Sequence, residues 1–453
     1  MNIFTQRNLQ NRFIMISKSY YKYSFFVVVL CISIIGTAQN NRKEKQIIKA
    51  VENHTASAID LIKESVNINS GTMNFEGVKN VGRLFQKELD KLGFKTVLTD
   101  GEEFARAGHL MATRTGKKGP KILMIGHLDT VFELDSPFQK YSMLNDSIMK
   151  GPGVADMKGG NVIIILAMQA LKEAGLLDEM SIEIVMTGDE EKSGAPLALS
   201  KKALIDAAKR ADIALGFENG DNNPKTIVVS RRGSTDWQLK VTGNSAHSSQ
   251  IFTEATGVGS IYETSRILNT FYEELAKEKD LTFNPGFIIG GTTLQPNEDG
   301  TGGHAFGKTN VVSQQTIVRG DLRAVSLEQL RKAKSTMQNI VSNNYPKSKA
   351  ELTFSPGGYP PLTRTEGNLT LLEYYNTVSQ DLGFGSVDAV NPRNAGAADI
   401  SFTSAYVDMA IDGMGLTGGG GDHTINETGD LNTVATQAKI TAVLLYRLVN
   451  SKF

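Results

Sequence analysis

Short apolar runs alternate with helical periodicity from about residue 45 to residue 230. The runs contain few or no polar residues and are five residues long: Lys121–Ile125, Ile182–Met186 and Ile213–Phe217. Strands that are apolar on both faces are typical of a parallel sheet covered by helices on both sides. Helical patterns fit between the runs, for instance at Asn161–Ala174 and Pro196–Arg210. The pattern therefore predicts an α/β domain with a mostly parallel sheet.

The pattern changes between residues 231 and 354. Here the predicted order is strand, helix, two strands, helix and strand: Ser234–Val241, Thr256–Lys277, Gly286–Leu294, Asn310–Arg323, Leu327–Asn343 and Ala350–Phe354. The order β-α-β-β-α-β is that of a ferredoxin-like α+β unit. We therefore predict a second, smaller domain inserted into the first.

After this insertion the α/β pattern returns. Tyr359-Pro360-Pro361 is the predicted linker, and the elements that follow are a helix, a strand and a final helix: Glu366–Leu382, Tyr406–Asp412 and Leu431–Val449. The predicted organisation is thus a first part of the α/β domain at 39–230, the inserted domain at 231–354 and a second part of the α/β domain at 355–453.

Residues 1–38 are predicted to be an export signal. They contain four basic residues and no acidic one, and the apolar run Phe25–Ile35 is followed by the small-residue cleavage pattern Gly36-Thr37-Ala38. We place the mature N-terminus near Gln39. Initiation at Met15 and an uncleaved anchor are alternatives, although an 11-residue run is short against the ~20 residues of a membrane span. We predict no other segment that could cross a membrane.

The single cysteine, Cys31, lies inside this signal, so the mature chain would have no disulfide and no thiolate metal site. Its 415 residues exceed the usual size of one hydrophobic core. They carry 44 basic and 48 acidic residues, a net charge of −4, with no block of like charge. This balance disfavours nucleic acid and anionic membranes as partners. The sequence predicts an exported protein, periplasmic or secreted, with a small-molecule substrate.

Candidate metal ligands lie where the predicted strands end. His127 in GHLDTV, Glu191 in TGDEEKSG and Glu218 in LGFENGD follow the three apolar strands in turn. Ligands of open α/β sheets bind outside the carboxyl ends of the strands, so these side chains should converge. Asp156 in GPGVADMKGG and His423 in GGGGDHT complete the set. When no thiolate is present, zinc is bound by imidazole nitrogens and carboxylate oxygens.

Taken in this order, with the inserted domain between them, the motifs resemble those of the M20 metallopeptidases, the superfamily of glutamate carboxypeptidase and of acetylornithine and succinyl-diaminopimelate deacylases. The resemblance covers nearly all of the mature chain. It implies a zinc-exopeptidase-like catalytic domain with two Zn²⁺ ions per chain, and a lid domain that also forms a homodimer. Co²⁺ and Mn²⁺ are alternatives, because histidine and carboxylate sites accept them too.

The resemblance also implies a role for each ligand. Asp156 matches the bridging carboxylate, His127 and Glu218 complete the shell of one metal, and Glu191 and His423 complete the shell of the other. The Asp156-Met157 bond is expected to be cis. Two residues after His127, Asp129 should point the same way on an extended segment and orient the imidazole ring.

Four further residues match catalytic or substrate-binding positions of the family. Glu190 matches the general base. His247, in GNSAHSS, matches a histidine that reaches the neighbouring subunit's active site, and Asn310, in TNVVS, has a supporting role. Here Ser313 replaces the proline that ends the common family form. Arg323, in GDLRAV, matches a position that can clamp a substrate carboxylate with its planar fork.

One segment departs from the family pattern. Ala395–Asp399 lacks the hydroxyl residue that many members have before a helix, so a substrate carboxylate there would rely on backbone N–H groups and on Arg393. Taken alone, each motif also has an ordinary structural explanation, such as a solvated acidic turn or a flexible glycine loop. His54, His109 and His304 match no motif, and we interpret them as structural.

The leading hypothesis is a metallohydrolase that cleaves the amide bond of a C-terminal amino acid in small peptides or N-acyl amino acids. A deacetylase, a dipeptidase or a carbamoyl-type amidohydrolase is the alternative within the superfamily. A catalytically silent protein that binds amino-acid-like ligands is the alternative from another class, and the presence of Glu190 with all five ligands argues against it. A phosphoesterase is disfavoured because the chain has no phosphate loop.

Overall fold

The computed structural model describes residues 42–297 and 300–452. The predicted export signal and Cys31 lie outside these residues. The described α-helices are α1 over residues 42–66, α2 Phe75–Lys91, α3 Gly159–Glu173, α4 Leu197–Ser200, α5 Lys202–Ala208, α6 Gly259–Leu275, α7 Leu327–Ser342, α8 Glu366–Asp381 and α9 Asn432–Val449.

The described strands are β1 Lys95–Leu98, β2 Leu110–Arg114, β3 Lys118–His127, β4 Ser142–Met143, β5 Ile148–Lys150, β6 Met180–Thr187, β7 Ile213–Gly216, β8 Thr226–Ile227, β9 Gly233–Gly243, β10 Thr282–Gly291, β11 Thr293–Pro296, β12 Gly303–Phe306, β13 Gln315–Ala324, β14 Ser348–Phe354, β15 Asp388–Ala389, β16 Met409–Ile411, β17 Gly418–Gly419 and β18 Thr428–Asp430.

The largest sheet has the order β1-β2-β6-β3-β7-β16. Strands β6, β3, β7 and β16 are parallel, and β1 and β2 are added antiparallel at one edge. Successive residues of the central strands enter separate cores on the two faces. Ile122 and Met124 pack into the core that contains α1, α2, α3, α8 and α9. Leu123 and Ile125 pack against α5 on the other face. Both faces are therefore covered, as the apolar runs predict.

A second sheet, of order β10-β13-β9-β14, is antiparallel throughout. Helices α6 and α7 pack on it around a core that includes Trp237, Phe271 and Met337. The order β9-α6-β10-β13-α7-β14 is the predicted β-α-β-β-α-β order. The hairpin β11–β12 is an addition that the sequence pattern did not predict. It explains why the predicted strand Gly286–Leu294 divides after Gly291.

Several predicted boundaries were wrong. The strand predicted from Asn310 begins at Gln315, which leaves Asn310 in a loop. The helix predicted over 196–210 is two helices, because the chain turns at Lys201 and buries that side chain completely. The stretch Val154–Glu173 has the length and mean hydropathy, 1.3, of a membrane span, contrary to our prediction, but 89% of it is buried inside the protein. It is a core helix between α2 and α9.

Candidate metal centre

The structure brings the five predicted metal ligands together at the carboxyl edge of the largest sheet. His127 is the last residue of β3, Glu191 follows β6, and Glu218 follows β7. Asp156 lies in the irregular turn Val154–Lys158 that leads into α3. His423 lies in the loop between β17 and β18.

The donor atoms form two sets that share Asp156. His127 Nε2 lies 3.0 Å from Asp156 Oδ1 and 3.6 Å from Glu218 Oε1. His423 Nε2 lies 3.1 Å from Asp156 Oδ2 and 3.1 Å from Glu191 Oε2. Two donors at about 2.05 Å from one tetrahedral ion are about 3.3 Å apart. Each set therefore fits the coordination shell of one divalent cation, and each uses a different oxygen of Asp156.

Unusual backbone conformations hold two of these ligands. The Asp156-Met157 peptide bond is cis, as predicted. Gly153, just before this turn, has φ of 72°, and a side chain there would meet Thr130 at 2.4 Å. His423 has φ of 61°, in the left-handed region that costs a non-glycine residue energy. A non-glycine residue keeps such a φ where the surrounding structure fixes it, which is common at functional sites.

Asp129 contacts the His127 imidazole ring that it is predicted to orient, and the nearer contact is made by its backbone oxygen. His127 Nδ1 lies 3.0 Å from the backbone oxygen of Asp129 and 3.5 Å from its carboxylate. The carboxylate accepts hydrogen bonds from the backbone N–H groups of Glu190 (3.1 Å) and Glu191 (3.2 Å), and from the hydroxyl of Thr72 (2.6 Å). The carbonyl fixes the tautomer that leaves Nε2 free for a metal. The carboxylate joins the end of β3 to the Glu190-Glu191 turn.

The centre concentrates negative charge. Burial raises the pKa of Glu190 well above its usual range, and Glu218 and Asp399 add to this effect while His127 opposes it. Burial and the neighbouring Asp156 raise the pKa of Glu191 to about 7. Carboxylates this close together are stable as anions only near cations. A pair of divalent cations at the two donor sets would supply that charge.

The same carboxylates also raise the pKa of the two histidines, because they favour the charged imidazole. Hydrogen bonds to Asp156 and Glu191 raise the pKa of His423 to about 11. For His127 burial acts to lower the pKa, but Glu218 and Asp156 outweigh it, so the pKa is raised well above 6.5. A cation bound at these donors would take the place of a ring proton, so metal binding should compete with protonation of the two histidines.

His247 and Asn310 lie together, but at the end of the second sheet that is distant from its junction with the α/β domain. Ser248 donates a backbone hydrogen bond to the Asn310 carbonyl at 2.8 Å, and both His247 and Asn310 are exposed. His247 lies four residues beyond the last residue of β9. The first residue of β9, Gly233, packs against the return linker at Tyr359. No described contact joins His247 to the metal ligands of its own chain.

Arg323 lies at the other end of the same sheet. It pairs with Ser234 in β9, and its Nε donates to Asp321 at 2.6 Å. The pKa of the nearby Arg232 is lowered, mainly by burial and further by the positive charges of Arg323 and Arg393. Both arginines therefore lie close to Arg232. The three guanidinium groups form a basic group of residues at the junction of the two sheets.

The segment Ala395–Asp399 has a structural role that the sequence analysis missed. The Gly396 carbonyl accepts from Arg231 at 2.8 Å. Asp399 is buried, accepts from the Thr187 hydroxyl at 2.5 Å and pairs with Lys201 at 3.0 Å. This segment therefore supports the strand end that carries Glu190.

The sequence analysis also missed two acidic residues that hold ligand loops. The Glu427 carboxylate accepts from the backbone N–H groups of Gly153 (3.1 Å), Ala155 (2.9 Å) and Asp156 (3.1 Å). Asp412 accepts from the backbone N–H of Glu218 at 3.2 Å. A signal for Asp412 was present, because it directly follows β16 at the same edge of the sheet as the ligands.

The histidines that match no motif lie away from the donors. His54 on α1 lies 2.7 Å from Glu173. His304 is in β12 and exposed. His109 is buried; its Nε2 lies 2.9 Å from the Ser200 carbonyl, and its Nδ1 accepts from the Gly188 N–H at 3.2 Å.

Comparisons with known proteins agree with this geometry. A sequence model described as peptidase family M20/M25/M40 matches residues 123–447. Carboxypeptidase G2 from Pseudomonas sp. (strain RS-16) is 23% identical over 435 residues, which cover 95% of this chain and 98% of that protein. Succinyl-diaminopimelate desuccinylase from Gluconacetobacter diazotrophicus is 26% identical over 382 residues, covering 80% of this chain and 90% of that protein.

A solved structure shares the fold. The crystal structure of the Bacillus subtilis YXEP protein, described as a dinuclear metal-binding peptidase of family M20, matches with a TM-score of 0.61 and 16% identity. The match covers 88% of this chain and 99% of that one. At this identity the likeness concerns the fold alone, and it confirms the predicted α/β architecture.

Proposed function

The chain belongs to peptidase family M20/M25/M40, and on this premise we propose that it is an exported dizinc amidohydrolase. The enzyme releases the C-terminal amino acid of small peptides or of N-acyl amino acids, as a carboxypeptidase does. The observation that carries the proposal is the pair of donor sets that share Asp156, with Glu190 in the adjoining turn.

The donor atoms support zinc as the metal. The sets offer imidazole nitrogens and carboxylate oxygens and no thiolate, which suits Zn²⁺ and also admits Co²⁺ or Mn²⁺. Bound at these donors, two cations would polarise the scissile carbonyl and lower the pKa of a water molecule. The chain holds the donors in place through Asp129, Glu427 and Asp412, which fix the backbone of the ligand segments.

Glu190 is the group that moves the proton. Its backbone N–H is fixed by Asp129, and its carbonyl accepts from the Tyr359 hydroxyl at 2.9 Å. The carboxylate takes a proton from the attacking water and delivers it to the nitrogen of the leaving amine. A base that must later act as an acid needs a pKa above that of an exposed carboxylate, and burial of Glu190 acts in this direction.

The basic group at the junction of the sheets supports recognition of a carboxylate. Arg323, Arg232 and Arg393 lie near one another there, and a guanidinium group can bind a carboxylate through two parallel hydrogen bonds. A terminal carboxylate marks both C-terminal residues and N-acyl amino acids. Carboxypeptidase G2 and succinyl-diaminopimelate desuccinylase are both among the relatives, so a deacylase is the second candidate.

We propose that the active form is a homodimer joined through the second sheet. Strand β9 has 11 residues, on the order of 35 Å at ~3.3 Å per residue, and His247 lies beyond its far end. A partner subunit could bring its own His247 and Asn310 to this metal centre. Strand β10 is at the edge of its sheet and carries exposed Ile288, which suits pairing with a second copy.

The first experiment measures metal content of the purified mature protein and hydrolysis of a panel of N-acyl amino acids and dipeptides, with and without chelator. We expect two metal ions per chain and release of a C-terminal amino acid that the chelator abolishes. Two metals without turnover on any substrate would favour a binding protein, and absence of metal would contradict the assigned centre. Mass spectrometry of the exported protein tests the mature N-terminus near Gln39.

A matched pair of variants tests the base. Glu190→Gln should retain two metals and lose turnover by about 10²–10⁴-fold, the usual contribution of a general base. Glu103→Gln, at an exposed position before β2, should behave as the wild type. Near-normal turnover in Glu190→Gln would remove Glu190 from the mechanism.

A further inference from the structure

A fully buried lysine lies behind the turn that carries Glu190. Lys201 is 0% exposed, at the break between α4 and α5. Its Nζ lies 3.1 Å from Asp189 Oδ1, 3.2 Å from the Asp189 carbonyl and 3.0 Å from Asp399 Oδ1. Both carboxylates are buried as well. Burial acts to lower the pKa of Lys201, but the charges of Asp399 and Asp189 outweigh it. The pKa is therefore raised, and the lysine is charged.

Each partner of Lys201 holds a different part of the turn. Asp189 directly precedes Glu190, and its Oδ2 accepts from the Gly194 N–H at 2.8 Å and the Ser200 hydroxyl at 2.5 Å. The other carboxylate, that of Asp399, accepts from the hydroxyl of Thr187 at the end of β6. The cluster therefore fixes the chain on both sides of Glu190.

Tyr359 connects the same cluster to Glu190 directly. Its hydroxyl donates to the Glu190 carbonyl at 2.9 Å and lies 3.3 Å from Asp399 Oδ1. Lys201 Nζ lies 5.6 Å from the centre of the Tyr359 ring, a cation–π distance. Through these contacts the lysine sets where the ring, and so the hydroxyl, can lie.

Stability alone does not explain three buried charges at this position. Well-packed apolar residues often stabilise a protein as much as or more than a buried ion pair, because charges lose hydration on burial. Geometry is what such a cluster can supply. The described contacts of Lys201 involve Asp189, Asp399 and the rings of Tyr359 and Phe402, and none of these residues is a predicted metal ligand.

We propose that Lys201, with Asp189 and Asp399, is a positioning cluster that aims the Glu190 carboxylate at the attacking water. The proposal rests on the proposed function, since it gives Glu190 the role of base. Removing the lysine should let the turn shift while the metal donors stay in place. A displacement of about 1 Å at a reacting group can cost about 100-fold in rate.

The test compares Lys201→Met with Lys202→Met. Methionine keeps the length of the side chain and removes the charge. Lys202 is the neighbouring residue, its side chain is 66% exposed and it pairs with Asp206, so its variant controls for the loss of a lysine at this point of the chain. For Lys201→Met we expect kcat to fall about 100-fold, with KM and metal content unchanged. Amide hydrogen exchange over residues 187–194 should become faster. Lys202→Met should match the wild type in every measurement.

Two results would overturn the proposal. One is wild-type kcat and wild-type hydrogen exchange in Lys201→Met. The other is a joint loss of kcat, substrate affinity and metal, which indicates a merely structural residue. If Lys201→Met does not fold, Tyr359→Phe decides, because it removes only the hydroxyl that contacts Glu190, Asp399 and Ser193. A fall in kcat of about tenfold, equal to about 1.4 kcal/mol, is expected there at unchanged KM, and wild-type kcat would refute the cluster.

Failure of the proposed function gives a different result. If the wild type hydrolyses nothing in the panel, the amidohydrolase assignment fails. The hydrogen-exchange comparison still tests whether Lys201 holds the Glu190 turn, because it does not depend on turnover.

Discussion

Replacing Arg231 by methionine tests the buried ion pair that supports Glu218. Arg231 Nε donates to Asp412 Oδ2 at 2.8 Å, and the side chains are 5% and 1% exposed. The other carboxylate oxygen, Asp412 Oδ1, accepts from the backbone N–H groups of Glu218 (3.2 Å) and Gly413 (2.7 Å). The pair therefore links the start of the second sheet to a ligand segment of the metal centre.

The expected loss follows from what the variant leaves behind. Arg231→Met leaves Asp412 with two N–H donors and without its cation, and removes the hydrogen bond to the Gly396 carbonyl. Breaking a buried pair from one side costs about 3–5 kcal/mol, because the remaining charge is buried without compensation. In Arg231→Met/Asp412→Asn the asparagine oxygen keeps both N–H bonds and no charge remains. The double variant should recover about 1–3 kcal/mol relative to additivity.

Urea unfolding of the wild type, both single variants and the double variant measures these free energies. Arg364→Met, at an exposed position, is the control and should change stability by less than about 0.5 kcal/mol. A loss below about 1 kcal/mol in Arg231→Met would refute the reasoning, since an uncompensated buried charge must cost more. Strictly additive losses in the double variant would show that the two side chains do not act as a pair.

Three further predictions concern the metal centre and its surroundings. Glu427→Gln should weaken metal binding about 10–100-fold in calorimetric titration, because its amide nitrogen replaces the oxygen that accepts the Gly153 N–H. Burial lowers the pKa of His109 below 6.5, so unfolding takes up a proton and stability falls as pH drops below 6.5. His109→Gln should reduce this slope, which for one proton is at most about 1.4 kcal/mol per pH unit. Mixed dimers of His247→Ala and Asp156→Ala chains should regain turnover, because one site then has both residues.

Each of these has a contrary result. Unchanged metal affinity in Glu427→Gln, with the exposed Asn426→Ala as its control, would show that the carboxylate does not hold the Asp156 turn. An unaltered pH slope of urea stability in His109→Gln would mean that the imidazole is not the group being protonated. If mixed dimers are demonstrated and remain inactive, His247 does not act across the dimer.

Much of the fold could be read from local patterns. Apolar runs without alternation indicate strands buried on both faces, and the central strands β3, β6 and β7 are such strands. The rule that ligands gather at the carboxyl ends of parallel strands placed His127, Glu191 and Glu218 at one edge before any geometry was known. The family resemblance was needed to choose Glu191 as a ligand and the adjacent Glu190 as the base. The pattern did not predict the hairpin β11–β12 or the break between α4 and α5 at Lys201, since both depend on contacts with residues distant in sequence.

The sequence by itself determined the family and the α/β architecture and predicted the ligand set, because these rest on residue types at strand ends and on their order along the chain. Only the tertiary structure decided which groups hold that set in place. Glu427 lies more than 270 residues from the backbone it fixes, and Asp399 lies more than 200 from Thr187. The local sequence does not distinguish the buried Lys201 from the exposed Lys202 beside it, and it does not mark Glu427 among the other carboxylates in loops. Burial and partner distance define the role of each residue, and they exist only once the chain is folded.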